Sequence, residues 1–434
     1  MKVDDLIVGG GVAGLVAALA AQNKGRKVLL VDSADHVGGL LSSIQHASYT
    51  FDYGTHFVSA TGRPNIDEVL LSSVTKEDWL KIPHVNAGSY FKGLHESSTV
   101  INALNALDSD TLNKGIGELV GVLQNSTLSE KYDNAEDQIK AVFGDVFSTH
   151  ILIPALEKLY QVPASSLASN AQLLFGLSRL IIANPEVSKA LKELPAFDDR
   201  IAYHSAEEGP KSPMKYYPKV GGIHQWVDQL ADQVGKECIC LGQSVEQLQY
   251  QGEGIKARLS DGDVIEAERL VWTLPLFPLL RMTNSNWQPT GKPQFLSTQL
   301  MHLVIDKAPI TSCHYVTNYD PDFKHFRATL YSNINHRNDH RITVEVFTQD
   351  PLSVEEIFNE LVETGLIDKK SLVLFSASDF LPISFPVYTK DFLTARDDML
   401  CEAEKLPNTL LLGKARGDQF FMNDVIIDAF NRVT

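Results

Sequence analysis

A glycine turn between a short apolar run and an Ala/Leu-rich stretch constrains this chain more than any other feature. Residues 5–8 (DLIV) read as a buried parallel strand. Gly9, Gly11 and Gly14 follow as GxGxxG. The spacing predicts a helix over 12–23, with Gly25 where a helix-ending glycine sits, then a second strand over 27–31 that ends at Asp32.

That order has a physical meaning. The first glycine permits a tight turn, the second lets backbone approach a pyrophosphate, and the third lets helix and strand pack closely. The helix start offers amide donors and positive dipole to the phosphates. Gly9, Gly10, Gly11, Val12, Ala13 and Gly14 are therefore the expected phosphate cradle. Asp32, 23 positions after Gly9 and followed by Ser33, is the expected ribose ligand.

Composition narrows the partners. A chain of 434 residues, 44% hydrophobic, is long enough for two or three domains. Its net charge of -16 repels nucleic acid and anionic lipid, so neither is an expected partner. We expect no membrane span, because no run of ~20 apolar residues is evident. Cys238, Cys240, Cys313 and Cys401 form no metal-ligand spacing, so no metal is expected and the thiols read as reduced, in a cytoplasmic protein. HExxH, Walker A and GxSxG motifs do not occur.

A second glycine pair, Gly38-Gly39, follows Asp32 by six residues, and a simple nicotinamide domain has no need of it. With it the chain resembles the flavin-containing amine oxidase superfamily. That group includes amine oxidases, protoporphyrinogen oxidases, phytoene desaturases and UDP-galactopyranose mutases. The usual acid there is Glu where this chain has Asp32, and an Arg often follows the glycine pair where this chain has Leu40. The resemblance implies FAD as cofactor and an α/β fold. It comprises a discontinuous Rossmann-like FAD domain of glutathione-reductase type over 1–60, 214–290 and 405–434. An α+β substrate domain, an antiparallel sheet plus helices, is implied over 61–213 and 291–404.

The resemblance also implies site residues. Gly38, Gly39 and Leu40 would fold over the dinucleotide, and Gly54, Thr55 and His56 would lie beside the isoalloxazine. His56 is then a hydrogen-bonding neighbour of the flavin or a structural histidine. Val245 would offer backbone to the adenine, and the strand ending at Thr273 would close the FAD sheet. Gly413 and Lys414 occupy the place of a Gly-Asp or Gly-Arg pair. The next helix, starting near Asn423-Asp424, would aim its N-terminus at the flavin, with Asp424 and Val425 beside the cofactor. Lys219 is a candidate for the flavin edge or substrate, or a solvated lysine. Arg327 is an anchor for an anionic substrate or a member of a salt bridge. Residues ~133–200 read as helical, broken by Gly144, Pro154 and Pro163, and "TQLMHLVID", "ATLYSNI" and "ITVEVF" read as strands.

The function implied is an FAD-dependent oxidoreductase acting on a small or medium organic molecule. A UDP-galactopyranose-mutase-like isomerase using reduced flavin is the alternative. A non-catalytic binding protein on the same fold is the third reading.

Overall fold

The computed structural model describes all residues except 73, 75–76, 126–130, 253, 284–285, 418 and 420, and all side chains but those of 125 and 415 besides. The chain divides into two compact units. The first comprises Met1–Pro83, Pro213–Lys292 and Thr394–Thr434; the second comprises His84–Ser212 and Pro293–Leu393.

In the first unit, Lys2–Val8 pairs in parallel with Val28–Val31 on one side and Val264–Trp272 on the other. Ile239–Cys240 extends the sheet beyond Val28–Val31, and Thr409–Leu411 runs parallel to the end of Val264–Trp272. Gly254–Leu259 and Val245–Gln251 add an antiparallel meander, its turn at Gly262 with φ 94°. The helix Val12–Gln22 is buried along nearly its whole length, as its Ala/Leu composition requires. The closing helix Met422–Val433 packs beside it.

A buried charge cluster ties the sheet together. Asp5 is fully buried on the first strand. Its carboxylate accepts from Arg26 Nε at 2.8 Å and Nη2 at 2.9 Å, and from Arg269 Nε at 2.8 Å and Nη2 at 2.9 Å. Burial works to raise the Asp5 pKa, but hydrogen bonds and charge from Arg269 and Arg26 outweigh it and hold it below the usual value.

Residues 61–83 lie in the first unit, not in the second domain expected from sequence. The cause is strand pairing: Trp79–Ile82 and Val58–Ser59 flank Lys215–Pro218 in a three-stranded sheet. Residues 394–404 join this unit through the helix Lys390–Ala403, which buries Ala403 in the sheet's core.

The second unit carries a seven-stranded sheet. Its order is Val373–Pro386, Phe295–Ile305, Arg341–Phe347, His325–Leu330, Tyr315–Asn318, Ala87–Tyr90, Leu94–His95. All neighbours are antiparallel except Tyr315–Asn318 with Ala87–Tyr90. One face packs Met301, Leu303, Ala328, Val344 and Val346 against Ile357 and Leu361 of the helix Val354–Glu363. The other buries Phe326 and Phe347, stacked at 5.0 Å, with Leu156, Leu159 and Tyr160.

Two expectations from sequence need correction here. "ATLYSNI" is strand only to Leu330, after which Tyr331–Asn335 is a short helix ended by His336 at φ 56°. Residues 133–200 are not helical throughout. Helix runs over Ala135–Phe147 and Ile153–Tyr160 with a π-helical turn at Ser148–Leu152, and Gly144 breaks it at φ 79°. Gln161 then turns left-handed and Pro163 blocks continuation, so 161–184 hold only short 3-10 turns. By length and composition alone Ala135–Tyr160 would span a bilayer, but this kinked stretch places Ile139, Phe143, Phe147, Ile151 and Leu156 in the second unit's core.

A half-buried lysine enclosed by this unit makes stability pH-dependent. Lys158 Nζ donates to the carbonyls of Asn318 at 2.8 Å and His325 at 2.9 Å. Burial pushes its pKa down to about 7, against the pull of Glu360 and Asp320. The folded state thus holds fewer protons than the unfolded one between about pH 7 and pH 10.5, and stability rises with pH there. Relative to Lys158→Met, the wild type should gain ~1–2 kcal/mol between pH 7 and pH 9 in urea unfolding. Parallel pH profiles of the two proteins would contradict this assignment.

Candidate dinucleotide site

The glycine turn lies at the carboxyl end of the first strand, and its geometry separates the roles of its glycines. A Cβ on Gly9, already at φ 111°, would collide with Thr273 Oγ1, and one on Gly14 would collide with the carbonyl of Gly9. A Cβ on Gly10 would press on Asp32 at 3.1 Å. Gly9 and Gly14 are demanded by the protein's own packing, and Gly10 sits tightly against the Asp32 side chain. Gly11 differs: a Cβ there meets nothing within 4 Å. Its φ of -71° suits any residue, so no protein contact requires glycine at this place.

Other segments converge on that turn. Gly38 donates its amide to Gly10 O at 2.8 Å, and Gly11 and Gly38 form a parallel bridge. Gly38 is left-handed at φ 109°, and Gly39 lies with its would-be Cβ 3.7 Å from Gly11 Cα. Leu40 is 49% exposed beside them. Thr273 donates both its amide (3.1 Å) and its hydroxyl (3.0 Å) to Val8 O, clamping the end of its strand to the start of the turn. Gly413 sits between the two helices, where a Cβ would lie 3.2 Å from Ala13 Cβ and 3.6 Å from Val425 Cγ1. The amino-terminal turn and the carboxy-terminal strand therefore meet in one unit.

Asp32 is half-buried and already bonded within the loop. Its carboxylate accepts from the amides of Gly10 and Ala34, the latter at 2.8 Å. Ser33 beside it is exposed. Residues 242 and 243 return to the same spot, with Gly242 N on Ala34 O at 2.8 Å and Gln243 N on Asp32 O at 3.0 Å. Val245, two positions on, opens its strand next to this end of the sheet.

The closing helix contributes its open end. Val425 N donates to Phe421 O at 3.1 Å, so its amide is used inside the helix and its side chain is buried. The open donors are those of residues 422–424, the turn in which the sequence places the helix start. Asp424 is exposed in this first turn. Lys414 is reached by water, yet surrounding protein lowers its pKa through burial.

Gly54, at φ 108°, Thr55 and His56 follow the strand Tyr49–Asp52, with Thr55 and His56 half-buried. The residue that fixes this segment is one the sequence reading missed, Asp52. Its buried carboxylate accepts from Ser43 Oγ at 2.6 Å, Tyr217 OH at 2.6 Å and Ile223 N at 2.9 Å. A side chain at Gly222 would collide with Ser43 and Asp52, which explains the Gly221-Gly222 pair. A carboxylate on a strand beside buried Phe51 was the available signal. Lys215 is the second omission: it points to Ser59 Oγ at 3.3 Å and burial lowers its pKa.

Lys219, by contrast, is exposed, and its amide donates to Asp78 O at 3.0 Å. Arg327 lies in the second unit. Its Nε and Nη2 bind Glu345 Oε1 and Oε2 at 2.6 and 2.7 Å, across paired strands. Burial works to lower its pKa, but Glu345 outweighs this and raises it. Of the two readings open in sequence, substrate anchor or salt-bridge member, Arg327 here has its guanidinium fork engaged by a carboxylate of the protein.

Comparison with known proteins agrees with this geometry. Residues 7–71 match the family model described as an NAD(P)-binding Rossmann-like domain. A 4,4'-diapolycopene oxygenase of Methylomonas sp is 24% identical over 353 residues, covering 76% of this chain and 68% of that protein. Reduced UDP-galactopyranose mutase superposes with a TM-score of 0.78 at 17% identity, over 100% of this chain and 93% of that one. Cyclohexylamine oxidase from Brevibacterium oxydans IH-35A gives 0.67 at 12% identity, over 100% and 98%. The chain has the fold of these solved enzymes, with a Rossmann-like region in its first unit.

Proposed function

We propose that this chain is an FAD-dependent oxidoreductase that dehydrogenates a small or medium organic substrate. The observation that carries this reading is the open space over Gly11, at the point where Gly38, Gly413 and the helix Val12–Gln22 converge. The protein's own atoms leave Gly11 without a packing reason to be glycine. A diphosphate lying against that backbone supplies one.

In this reading the amides of 12–14 bind the diphosphate, aided by the helix dipole. Asp32 shapes the turn through Gly10 and Ala34 and presents its remaining lone pairs to the ribose. Val245 lies along the adenine. Gly38, Gly39 and Leu40 cover the dinucleotide, and Thr273 holds Gly9 in place. Gly54, Thr55 and His56, anchored through Asp52, flank the ring. Lys414 and the amides of 422–424 supply positive potential at its far end, partly offset by Asp424. A bound flavin supplies hydride acceptance. The chain's residues orient it, exclude water and set its charge environment. The four free thiols fit a reducing, cytoplasmic setting.

An isomerase that uses reduced flavin is the second reading, favoured by the likeness to UDP-galactopyranose mutase along the full chain. One experiment separates the two. Anaerobic bleaching of the FAD-loaded protein by an amine, a polyene or a porphyrinogen supports dehydrogenation. Turnover of a UDP-sugar only after dithionite reduction supports the isomerase and overturns the first reading.

A further inference from the structure

Two enclosed lysines of the second unit are saturated with acceptors. Lys158 Nζ donates to two carbonyls, and Glu360 and Asp320 add favourable charge. Lys192 Nζ, on a side chain 6% exposed, reaches the carbonyls of Asp198 and Ile201 and the Asp198 carboxylate. Lys215, in the first unit, differs. An ammonium carries three donors. Among the described residues, the acceptor within reach of Lys215 Nζ is Ser59 Oγ at 3.3 Å. No charged side chain of either sign shifts its pKa, which burial alone lowers. The chain has 54 acidic residues, so a half-buried cation that none of them pairs with needs a reason. Half-buried rather than sealed, the ammonium stays open to a ligand.

Its place in the fold indicates which anion. Lys215 lies opposite Ser59, itself three residues past His56. Ser59 Oγ donates to Ala60 O at 3.4 Å, and Asn423 Nδ2, in the first turn of the closing helix, donates to the same carbonyl at 3.2 Å. Tyr217, two residues along and on the same face of its strand, donates to Asp52 at 2.6 Å. Hydrogen bonds thus tie the ammonium's surroundings to 54–60 and to the helix start, the two elements assigned above to the flavin ring. One ammonium is a point charge that balances a carboxylate, whereas a phosphate ester brings about two charges.

We propose that Lys215 binds a carboxylate of the substrate, which makes that substrate an organic acid; this rests on the FAD-dependent reading above. Arg327, its fork taken by Glu345, is not the anchor. Benzoate and its neutral counterpart benzamide are the probes. Benzoate added to the FAD-loaded protein should perturb the flavin's visible absorption and saturate. Benzamide should bind at least ~30-fold more weakly, the loss expected for one charge-assisted hydrogen bond in an enclosed site. Lys215→Met keeps the stem and removes the charge, so it should retain FAD and weaken benzoate by the same factor. Lys215→Gln repeats the test should the methionine variant not fold. Lys215→Arg should hold benzoate within ~fivefold of wild type, because the charge remains. An FAD-loaded wild type indifferent to benzoate overturns the proposal. So does equal benzoate binding by wild type and the neutral variants, an arginine variant as weak as they are, or neutral variants that also lose FAD. Tighter binding of phenyl phosphate than of benzoate overturns the carboxylate. A wild type that takes up no FAD defeats the parent reading before any benzoate is added, so the two failures are distinguishable.

Discussion

Gly11→Val should fold normally and lose its dinucleotide. The valine Cβ enters space where, its chain neighbours aside, no atom of the described residues comes within 4 Å, and the backbone at φ -71° accepts it without strain. Gly11 is also the residue before the helix, where a β-branched replacement costs no more than about 1 kcal/mol. A diphosphate resting against the turn would meet both new methyl groups. We expect FAD affinity to fall at least ~100-fold, about 2.7 kcal/mol, while the denaturation midpoint of the cofactor-free protein barely moves. Gly14→Ala provides the contrast. Its Cβ would strike the Gly9 carbonyl, so that variant should lose stability with or without cofactor. Normal flavin binding by a folded Gly11→Val protein would remove the site from this turn.

The second large effect is on stability. Asp5→Ala leaves Arg26 and Arg269 without the carboxylate that both engage through two bonds each. Breaking one side of a buried ion cluster costs about 3–5 kcal/mol, more than most single substitutions. The arginines are partly exposed, at 31% and 26%, so we expect the lower end, about 3 kcal/mol. The pH signature identifies the cause. Because the folded pKa is held below 3.8, the carboxylate's contribution is complete at neutral pH and is lost as pH falls through the folded value. The gap between wild type and Asp5→Asn in chemical unfolding should stay level from pH 5 to pH 8 and narrow below pH 4. A gap that persists to pH 2.5 would point to packing rather than charge.

The glycine turn was legible in sequence because its demands are local. Strand, turn, helix and acid lie within 32 residues, and each glycine answers to a neighbour a few positions away. The Lys92-Gly93 and Asp261-Gly262 dipeptides are equally local signals, and both turn between paired strands. What sequence did not show was set by register. Arg327 meets Glu345 only because two strands align them, and Asp5 meets Arg269 across 264 positions of chain. Asp52 drew no notice in sequence, because two of the three donors that converge on it, Tyr217 and Ile223, come from a distant segment. The first segment of unit one extends to Pro83 because Trp79–Ile82 pairs with Lys215–Pro218, a contact no periodicity announces.

The most direct test is the flavin content of the purified chain after incubation with FAD and removal of excess. Denaturation should release a single FAD per chain, and NADH in large excess should not displace it. A colourless protein that takes up no FAD, or one that binds NADH in its place, would contradict the account.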